Sequence, residues 1–182
     1  MADNPMKLKK MVVLVGMMGC GKTAVGRVVA SRLQTRFLDS DHEIVEAATM
    51  SIPEIFDRDG EGFFRDRETE VIHRLLESQV GVLSTGGGAF MSKRNRDMIS
   101  EFGVSVWLDA DLEILWSRVR NKDTRPLLRT PDPKTTLSAI YNTRVPLYQM
   151  ADLSVQAKPE YAIGDMADAV ISALKTRPDV LE

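Results

Sequence analysis

Hydrophobic residues fall into short continuous runs that alternate with stretches of helical spacing. The run Met11–Val15 is apolar, rich in β-branched residues, and ends at a glycine-rich turn. Such a run is typical of a buried central strand in a parallel sheet. Apolar residues at helical spacing follow over residues 22–34. The pattern therefore predicts a strand, a glycine loop and a helix, which is the start of a βαβ unit.

The same alternation continues along the chain. Further short strands are predicted at residues 36–39, 81–84, 104–108 and 153–155. Further helices are predicted over residues 91–101, 111–120, 134–150 and 161–175, with Pro146 bending or interrupting the third of them. Strands that alternate with helices indicate a doubly wound α/β sheet, in which ligands bind at the carboxyl ends of the strands.

Two stretches exceed this pattern. Residues 41–79 are predicted to be mostly helical, with breaks near residues 51–53 and 59–60, and they are too long for one crossover helix. Residues 121–133 are polar and proline-rich, and long loops of this kind are often lids. We therefore expect these two stretches to be the moving parts of the protein.

Length and charge narrow the class of protein. The 182 residues fit a single domain, and the net charge of −2 argues against nucleic acid as the main partner. The run Met11–Val15 is far too short to span a membrane, and residues 1–10 lack the apolar core of a secretory signal. The sequence predicts a cytoplasmic protein without a membrane partner, and frayed ends over residues 1–9 and 177–182.

Residues 16–23 match the phosphate-binding motif G-x-x-x-x-G-K-[ST], or P-loop, in full. Its glycines let backbone N–H groups turn towards phosphates, and the following helix directs its positive end at the same anion. Lys22 is expected to reach the β- and γ-phosphates, and the Thr23 hydroxyl to ligate magnesium. The alternative is a glycine-rich turn with a surface lysine. The predicted nucleotide-binding residues of the loop are Gly19, Cys20, Gly21, Lys22, Thr23 and Ala24.

Two carboxylates, Asp39 and Asp41, follow the second predicted strand. One of them can support magnesium, and the other can accept a proton from a substrate hydroxyl group. The alternative is a helix N-cap formed by Ser40 or Asp41, and spacing alone does not choose between these interpretations. The chain lacks the Asn-Lys-x-Asp stretch that reads guanine, which argues against a GTPase.

Three arginines and a glycine turn are further candidates. Arg65 follows two phenylalanines and can bind a carboxylate, or can be a solvated charge on a helix. Three glycines follow a predicted strand at residues 86–88. They indicate either that a ligand approaches the backbone closely or that the turn is flexible. Arg125 can close over phosphates or can be a loop charge, and Arg144 can be a surface residue near a helix kink.

In order, the motifs G-x-x-G-x-G-K-T, F-x-D-x-D, F-R-x-x-E, G-G-G, R-P-L-L and R-x-P-L-Y resemble those of shikimate kinases, from Val12 to Tyr148. The resemblance implies a P-loop fold like that of nucleoside monophosphate kinases, with a five-stranded parallel sheet flanked by helices. It implies a substrate-binding segment at about 41–69 and a lid at about 121–133. The implied reaction converts ATP and shikimate to ADP and 3-phosphoshikimate, in the synthesis of chorismate and aromatic amino acids.

The resemblance also implies roles for single residues. Asp41 would bind the ring hydroxyls and act as the base, while Lys22 and Arg125 would act on the phosphates. The shikimate carboxylate would be held by Arg65, Arg144, Gly87 and Gly88, with Glu68 supporting Arg65. Thr23 and Asp39 would serve Mg²⁺, and Arg118 would flank the adenine, whose other contacts after Tyr148 the sequence does not identify.

Two other functions stay open at this point. A linear sugar acid is also a hydroxylated carboxylate, so a gluconate kinase is one alternative. A nucleotide-binding module without catalysis is the other, although intact Lys22, Thr23, Asp41 and Arg125 argue against it. For either kinase we expect a monomer that takes ATP as co-substrate with Mg²⁺.

Overall fold

The computed structural model describes residues 6–182, which contain one five-stranded sheet. Its strands are β1 (Met11–Val15), β2 (Arg36–Asp39), β3 (Gly81–Ser84), β4 (Gly103–Asp109) and β5 (Leu153–Gln156). All of them pair in parallel, in the order β2-β3-β1-β4-β5. The predicted parallel sheet is confirmed, and each strand lies within one residue of its predicted bounds.

Strand β1 lies at the centre of the sheet. Val12 pairs with Val82 of β3 on one side and with Val104 of β4 on the other. Every residue of β1 is buried, because helices cover both faces of a parallel sheet of this kind. This explains why its sequence is continuously apolar rather than alternating. The carboxyl ends of β2, β3 and β1 consequently lie side by side at one edge.

Seven α-helices surround the sheet within the described residues. They are α1 (Lys22–Arg32), α2 (Ser40–Ala48), α3 (Ile52–Ser78), α4 (Lys93–Phe102), α5 (Leu112–Val119), α6 (Pro133–Tyr148) and α7 (Ile163–Leu174). Short 3-10 helices occupy Ala89–Met91 and Pro126–Leu128, the second inside the predicted polar loop. Helix α6 continues through Pro146 to Tyr148. None of the helices in residues 6–182 combines the length and apolarity needed to cross a membrane.

The long helical stretch breaks at both predicted places. Ser51 separates α2 from α3 and caps α3, since its hydroxyl accepts from the Glu54 amide at 3.3 Å and its amide donates to the Glu54 carboxylate at 2.8 Å. Within α3, Gly60 has φ 84° and ψ 169°, which no helical residue adopts. Glycine takes this conformation without the strain that a Cβ atom brings. The kink at Gly60 redirects the chain just before Arg65.

The two ends of the described chain pair with each other. Leu8 and Leu181 form an antiparallel bridge, and both side chains are buried. Burial of apolar side chains stabilises this pairing against fraying. The prediction of frayed ends is therefore wrong for residues 6–9 and 177–182. Residues 1–5, on which it also falls, lie outside the described part of the chain.

Candidate active site at the carboxyl edge of the sheet

The P-loop turns from β1 into α1. Gly21 precedes the helix in the left-handed conformation, with φ 94° and ψ 20°, and no side chain caps the first turn. The first N–H groups of α1 are therefore available to an anion, and the helix dipole favours negative charge there. Lys22 is only 8% exposed, and its Nζ donates to the carbonyl oxygens of Gly16 at 2.7 Å and Met17 at 3.0 Å. A lysine bound this way is a buried cation inside the loop.

A cavity of about 750 Å³ lies over the loop. All the predicted nucleotide-binding residues line it, namely Gly19, Cys20, Gly21, Lys22, Thr23, Ala24, Arg118 and Arg125. Arg118 comes from the end of α5, and its guanidinium donates to the Gly19 carbonyl oxygen at 3.1 Å. The structure therefore brings residues from three separate parts of the chain around one space.

Part of the wall of this cavity comes from residues that the sequence analysis did not identify. It is formed by Tyr161, Ala162, Ile163 and Met166, with Lys122 nearby. These residues lie between β5 and the first turn of α7, at the same edge of the sheet as the P-loop. The signal that could have found them is their position directly after the last strand, because every strand of a parallel sheet ends at the ligand edge.

Asp39 uses its two carboxylate oxygens for different contacts. Oδ2 accepts from the Thr23 hydroxyl at 3.0 Å, while Oδ1 accepts from the amides of Asp41 at 2.9 Å and His42 at 3.2 Å. The N-cap of α2 is therefore Asp39, and the proposed alternative of Ser40 or Asp41 as the cap is wrong. Asp39 therefore caps the helix with one carboxylate oxygen and faces the P-loop with the other.

Oxygen atoms that can ligate a metal ion lie around the Thr23 hydroxyl group. This hydroxyl lies 3.0 Å from Asp39 Oδ2 and 3.4 Å from the Ser84 hydroxyl. Across residues 6–182, no three His, Cys, Asp or Glu side chains come together as a metal cluster. Hard oxygen donors with only one carboxylate fit Mg²⁺, which usually takes its remaining ligands from water and phosphate.

Asp41 lies at the start of α2 and lines both the cavity over the P-loop and a second cavity. Its Oδ1 is buried and has no hydrogen-bond partner among the described residues. Burial raises the pKa of this carboxyl group above its ordinary value and Asp39 adds to the rise, whereas the charges of Lys22, Arg125 and Arg65 lower it. An unpartnered carboxylate oxygen in this position can accept a hydrogen bond, and then a proton, from a ligand hydroxyl group.

The second cavity, of about 100 Å³, adjoins the first. The two share the lining residues Met18, Asp41, Gly86, Gly87 and Arg125. Every predicted substrate-binding residue lines the smaller cavity, namely Asp41, Arg65, Gly87, Gly88 and Arg144. A ligand in the smaller cavity would therefore lie next to the phosphate end of the larger one.

Arg65 is held by a buried carboxylate. Its Nη1 donates to Glu68 Oε1 at 2.9 Å, and Glu68 is only 1% exposed. Glu61 accepts from the other side of the guanidinium group at 3.2 Å, and the Phe64 ring lies 5.1 Å from it. A buried carboxylate needs such a partner, since an unpaired one is costly to desolvate. Arg65 is therefore a fixed cation at the cavity wall rather than a freely solvated charge.

The glycine turn is tightly surrounded by charged groups. A Cβ atom on Gly86 would lie 2.9 Å from Asp41 Oδ1 and 3.0 Å from Glu68 Oε2. A Cβ atom on Gly88 would overlap the Arg65 guanidinium group. A side chain at either position would displace a carboxylate or the arginine from its present place. The turn is thus closely approached by side chains of the protein itself, and the predicted approach of a ligand to its backbone stays a prediction.

Arg144 and Arg125 complete the wall. A Cβ atom on Gly87 would lie 3.1 Å from Arg144 Nη1 and 3.4 Å from the Met18 amide nitrogen, so this glycine lies between the P-loop and the arginine. Arg125 lines both cavities, and its buried Nε has no hydrogen-bond partner among the described residues. The cleft thus contains two arginines near Gly87 and Gly88, and a third between the cavities.

Another cavity, of about 390 Å³, lies between α2 and α3 and contains none of the predicted site residues. Two of its arginines are already paired with carboxylates, Arg67 with Glu70 at 2.9 Å and Arg74 with Glu43 at 3.0 Å. The predicted chemistry is concentrated in the cleft at the carboxyl edge of the sheet instead.

Known proteins resemble most of the chain. The family model described as shikimate kinase matches residues 18–175. A shikimate kinase of Ruegeria pomeroyi is 67% identical over 175 residues, which cover 96% of this chain and 90% of that protein. The structure of a shikimate kinase from Acinetobacter baumannii in complex with shikimate has 36% identity and a TM-score of 0.88, over 93% of this chain and 94% of that one.

A gluconokinase from Sinorhizobium meliloti is similar at the level of the fold. Its structure has a TM-score of 0.61 over 93% of this chain and 94% of that one, with 14% identity. Identity this low indicates a shared architecture and carries no statement about the acceptor.

Proposed function

The chain belongs to the shikimate kinase family, and on that premise we propose that it transfers the γ-phosphoryl group of ATP to the 3-hydroxyl group of shikimate by direct in-line attack. The observation that carries this proposal is the small cavity beside the P-loop. It joins Asp41, a carboxylate with a free oxygen, to Arg65 and Arg144, two cations across a glycine turn. Shikimate has the matching groups, a carboxylate and neighbouring ring hydroxyls.

The larger cavity is proposed to hold ATP. The amides of the P-loop and the N-terminus of α1 would bind the phosphates. Lys22 would exchange the carbonyl oxygens of Gly16 and Met17 for phosphate oxygens, so that its positive charge would be paired with phosphate charge. Arg125 would neutralise charge that develops during transfer. The adenine would lie between Arg118 and the wall that begins at Tyr161.

Mg²⁺ is proposed to accompany the nucleotide. Thr23 and Asp39 would hold it through their hydroxyl and carboxylate oxygens, which already lie 3.0 Å apart. When bound, the ion would neutralise phosphate charge in the transfer step. The other carboxylate oxygen of Asp39 would still accept the hydrogen bond from the Asp41 amide. Asp39 would thereby hold the start of α2 next to the cation site.

The smaller cavity is proposed to hold shikimate. Arg65 and Arg144 would bind the carboxylate, assisted by the backbone at Gly87 and Gly88. Asp41 would accept hydrogen bonds from the ring hydroxyls and take the proton of the attacking one. Phosphoryl transfer needs little more than such positioning and charge neutralisation, since the transition state forms little covalent structure with the protein.

Two segments are proposed to move during the reaction. Residues 41–69 would close on the acceptor and residues 121–133 on the nucleotide, and the kink at Gly60 and the position of Arg125 support this. We further propose a single-domain monomer acting in the cytoplasm, with neither nucleic acid nor membrane as a partner. Light scattering on the purified protein measures its oligomeric state.

The decisive experiment is ADP release in the presence of shikimate or of gluconate, with the phosphorylated product identified by ³¹P NMR. We expect turnover with shikimate and the phosphate on its 3-hydroxyl group. Turnover with gluconate alone would overturn the proposal in favour of a sugar-acid kinase. Calorimetric binding of ATP without turnover on either acceptor would indicate a nucleotide-binding module.

A further inference from the structure

Tyr148 is a fully buried side chain next to the cleft that none of the proposed steps uses. It ends α6, one turn after Arg144, so the two side chains lie on the same face of that helix. Its hydroxyl group donates a hydrogen bond to the carbonyl oxygen of Gly87. The phenol therefore connects the helix that presents Arg144 to the glycine turn that Arg144 faces.

Gly87 is the point where the two halves of the cleft meet. A Cβ atom placed on it would lie 3.1 Å from Arg144 Nη1, 3.4 Å from the Met18 amide nitrogen and 3.7 Å from the Gly16 carbonyl oxygen. Gly87 thus lies next to both Arg144 and the P-loop. A hydrogen bond to its carbonyl oxygen restricts the orientation of this peptide, and with it the turn beside Arg144. In residues 6–182 the Tyr148 hydroxyl group makes a side-chain hydrogen bond to its carbonyl oxygen.

The ring of Tyr148 is itself held in place. Trp107 stacks on it with 6.1 Å between ring centroids and 23° between planes. Trp107 belongs to β4 and is paired in register with Val15 at the end of β1. Burial raises the pKa of the Tyr148 phenol far above its ordinary value, although the charge of Arg144 lowers it. The hydroxyl group therefore keeps its proton and remains a donor at neutral pH.

We propose that Tyr148 is a positioning residue for the acceptor half of the site: its hydroxyl group fixes the Gly87 peptide, and thereby the turn against which Arg144 binds the substrate carboxylate. This inference rests on the proposed shikimate kinase activity. Tyr148 touches no reacting atom. It acts through Gly87 and Arg144, so its loss alters shikimate binding rather than the chemistry on the nucleotide.

The test is Tyr148→Phe, which removes one oxygen atom and leaves the ring. We expect KM for shikimate to rise about 3- to 10-fold, the range for losing one neutral hydrogen bond, with KM for ATP unchanged. The matched control is Tyr141→Phe, on the same helix two turns earlier and outside both cavities. It should leave both KM values as they are. Kinetics are measured below the melting temperature of each variant.

A double-mutant cycle separates positioning from loss of stability. If Tyr148 acts through Arg144, then Tyr148→Phe should change shikimate KM much less in an Arg144→Ala background than in the wild type. Additive effects, equal rises in both KM values, or an unchanged shikimate KM in Tyr148→Phe would each overturn the inference. Wild-type protein that does not phosphorylate shikimate at all would instead overturn the proposed function.

A measurement on the wild-type protein keeps the inference testable even if the variant does not fold. A buried, hydrogen-bonded phenol proton exchanges slowly enough to give its own NMR resonance. We expect the Tyr148 hydroxyl resonance to shift when shikimate saturates the protein, and to shift less with ADP. A resonance that ignores shikimate, or responds equally to ADP, would contradict the positioning role.

Discussion

The nucleotide half and the acceptor half of the cleft are built in opposite ways. In the proposed nucleotide half, the phosphate-binding part comes from one continuous segment, residues 16–23, through backbone groups and a helix N-terminus, and other segments complete the cavity wall. The acceptor half takes single side chains from distant segments, Asp41 from α2, Arg65 from α3 and Arg144 from α6, around the turn at residues 86–88. The first depends on local backbone conformation, whereas the second depends on how the helices pack.

This difference has a consequence for substitutions. In the nucleotide half, one change should affect the transfer step and leave acceptor binding intact. In the acceptor half, one change should affect shikimate binding and leave ATP binding intact, because its side chains are held by separate partners such as Glu68. Substitutions with matched controls test this division.

The largest effect is expected for Lys22→Ala. Removing a buried cation aimed at the phosphates should lower kcat at least about 100-fold, as for other preorganised donors, with little change in KM for shikimate. Steady-state kinetics measure both. Lys93→Ala, which removes an exposed lysine paired with Asp97, should retain wild-type kinetics. A Lys22→Ala protein as fast as the wild type would contradict the phosphate role.

Arg65→Ala should come next and act on the other half. We expect KM for shikimate to rise about 100-fold while KM for ATP stays nearly constant, since a charged, bidentate contact is lost. Stability should also fall, because Glu68 remains buried without its partner. The control is Arg67→Ala, two residues along the same helix, whose guanidinium group pairs with Glu70. Equal rises in both KM values would argue for general disorder instead.

Asp39→Asn tests the boundary between the halves. An asparagine can still cap α2, so the fold should persist, but the negative charge beside Thr23 is lost. We expect the Mg²⁺ concentration for half-maximal activity to rise about tenfold, measured by titrating Mg²⁺ at fixed ATP. Asp111→Asn, at the N-cap of α5, is the matched control and should not change it. An unchanged Mg²⁺ requirement in Asp39→Asn would remove Asp39 from the cation site.

The smallest effect is expected for Gly88→Ala. A methyl group there overlaps the Arg65 guanidinium group, which must move, so KM for shikimate should rise about fivefold with kcat less affected. Gly62→Ala is the control, since a Cβ atom at Gly62 meets nothing within 4 Å. It should be neutral in kinetics and slightly stabilising, because alanine favours the helix. If Gly88→Ala has wild-type kinetics, the close approach at this turn has no role in binding.

The sequence predicted the elements well because each depends on local patterns. Continuous apolar runs located the five strands, and the breaks at Ser51 and Gly60 divided the long helical stretch correctly. The frayed ends were wrong because pairing between Leu8 and Leu181 joins residues at opposite ends of the described chain. The wall beginning at Tyr161 was not identified for a similar reason, since its residues show no motif and only the fold brings them to the same cavity as Arg118.

The P-loop and the alternation of strands and helices could be predicted from the sequence alone, because eight contiguous residues and short periodic runs fix the local backbone. The contact of Asp39 with Thr23, and that of the Tyr148 hydroxyl group with Gly87, depend instead on how distant segments pack. The physical reason is the strand order β2-β3-β1, which places the carboxyl ends of three separate strands side by side. Contacts between residues far apart in the chain follow from that order and not from any local pattern.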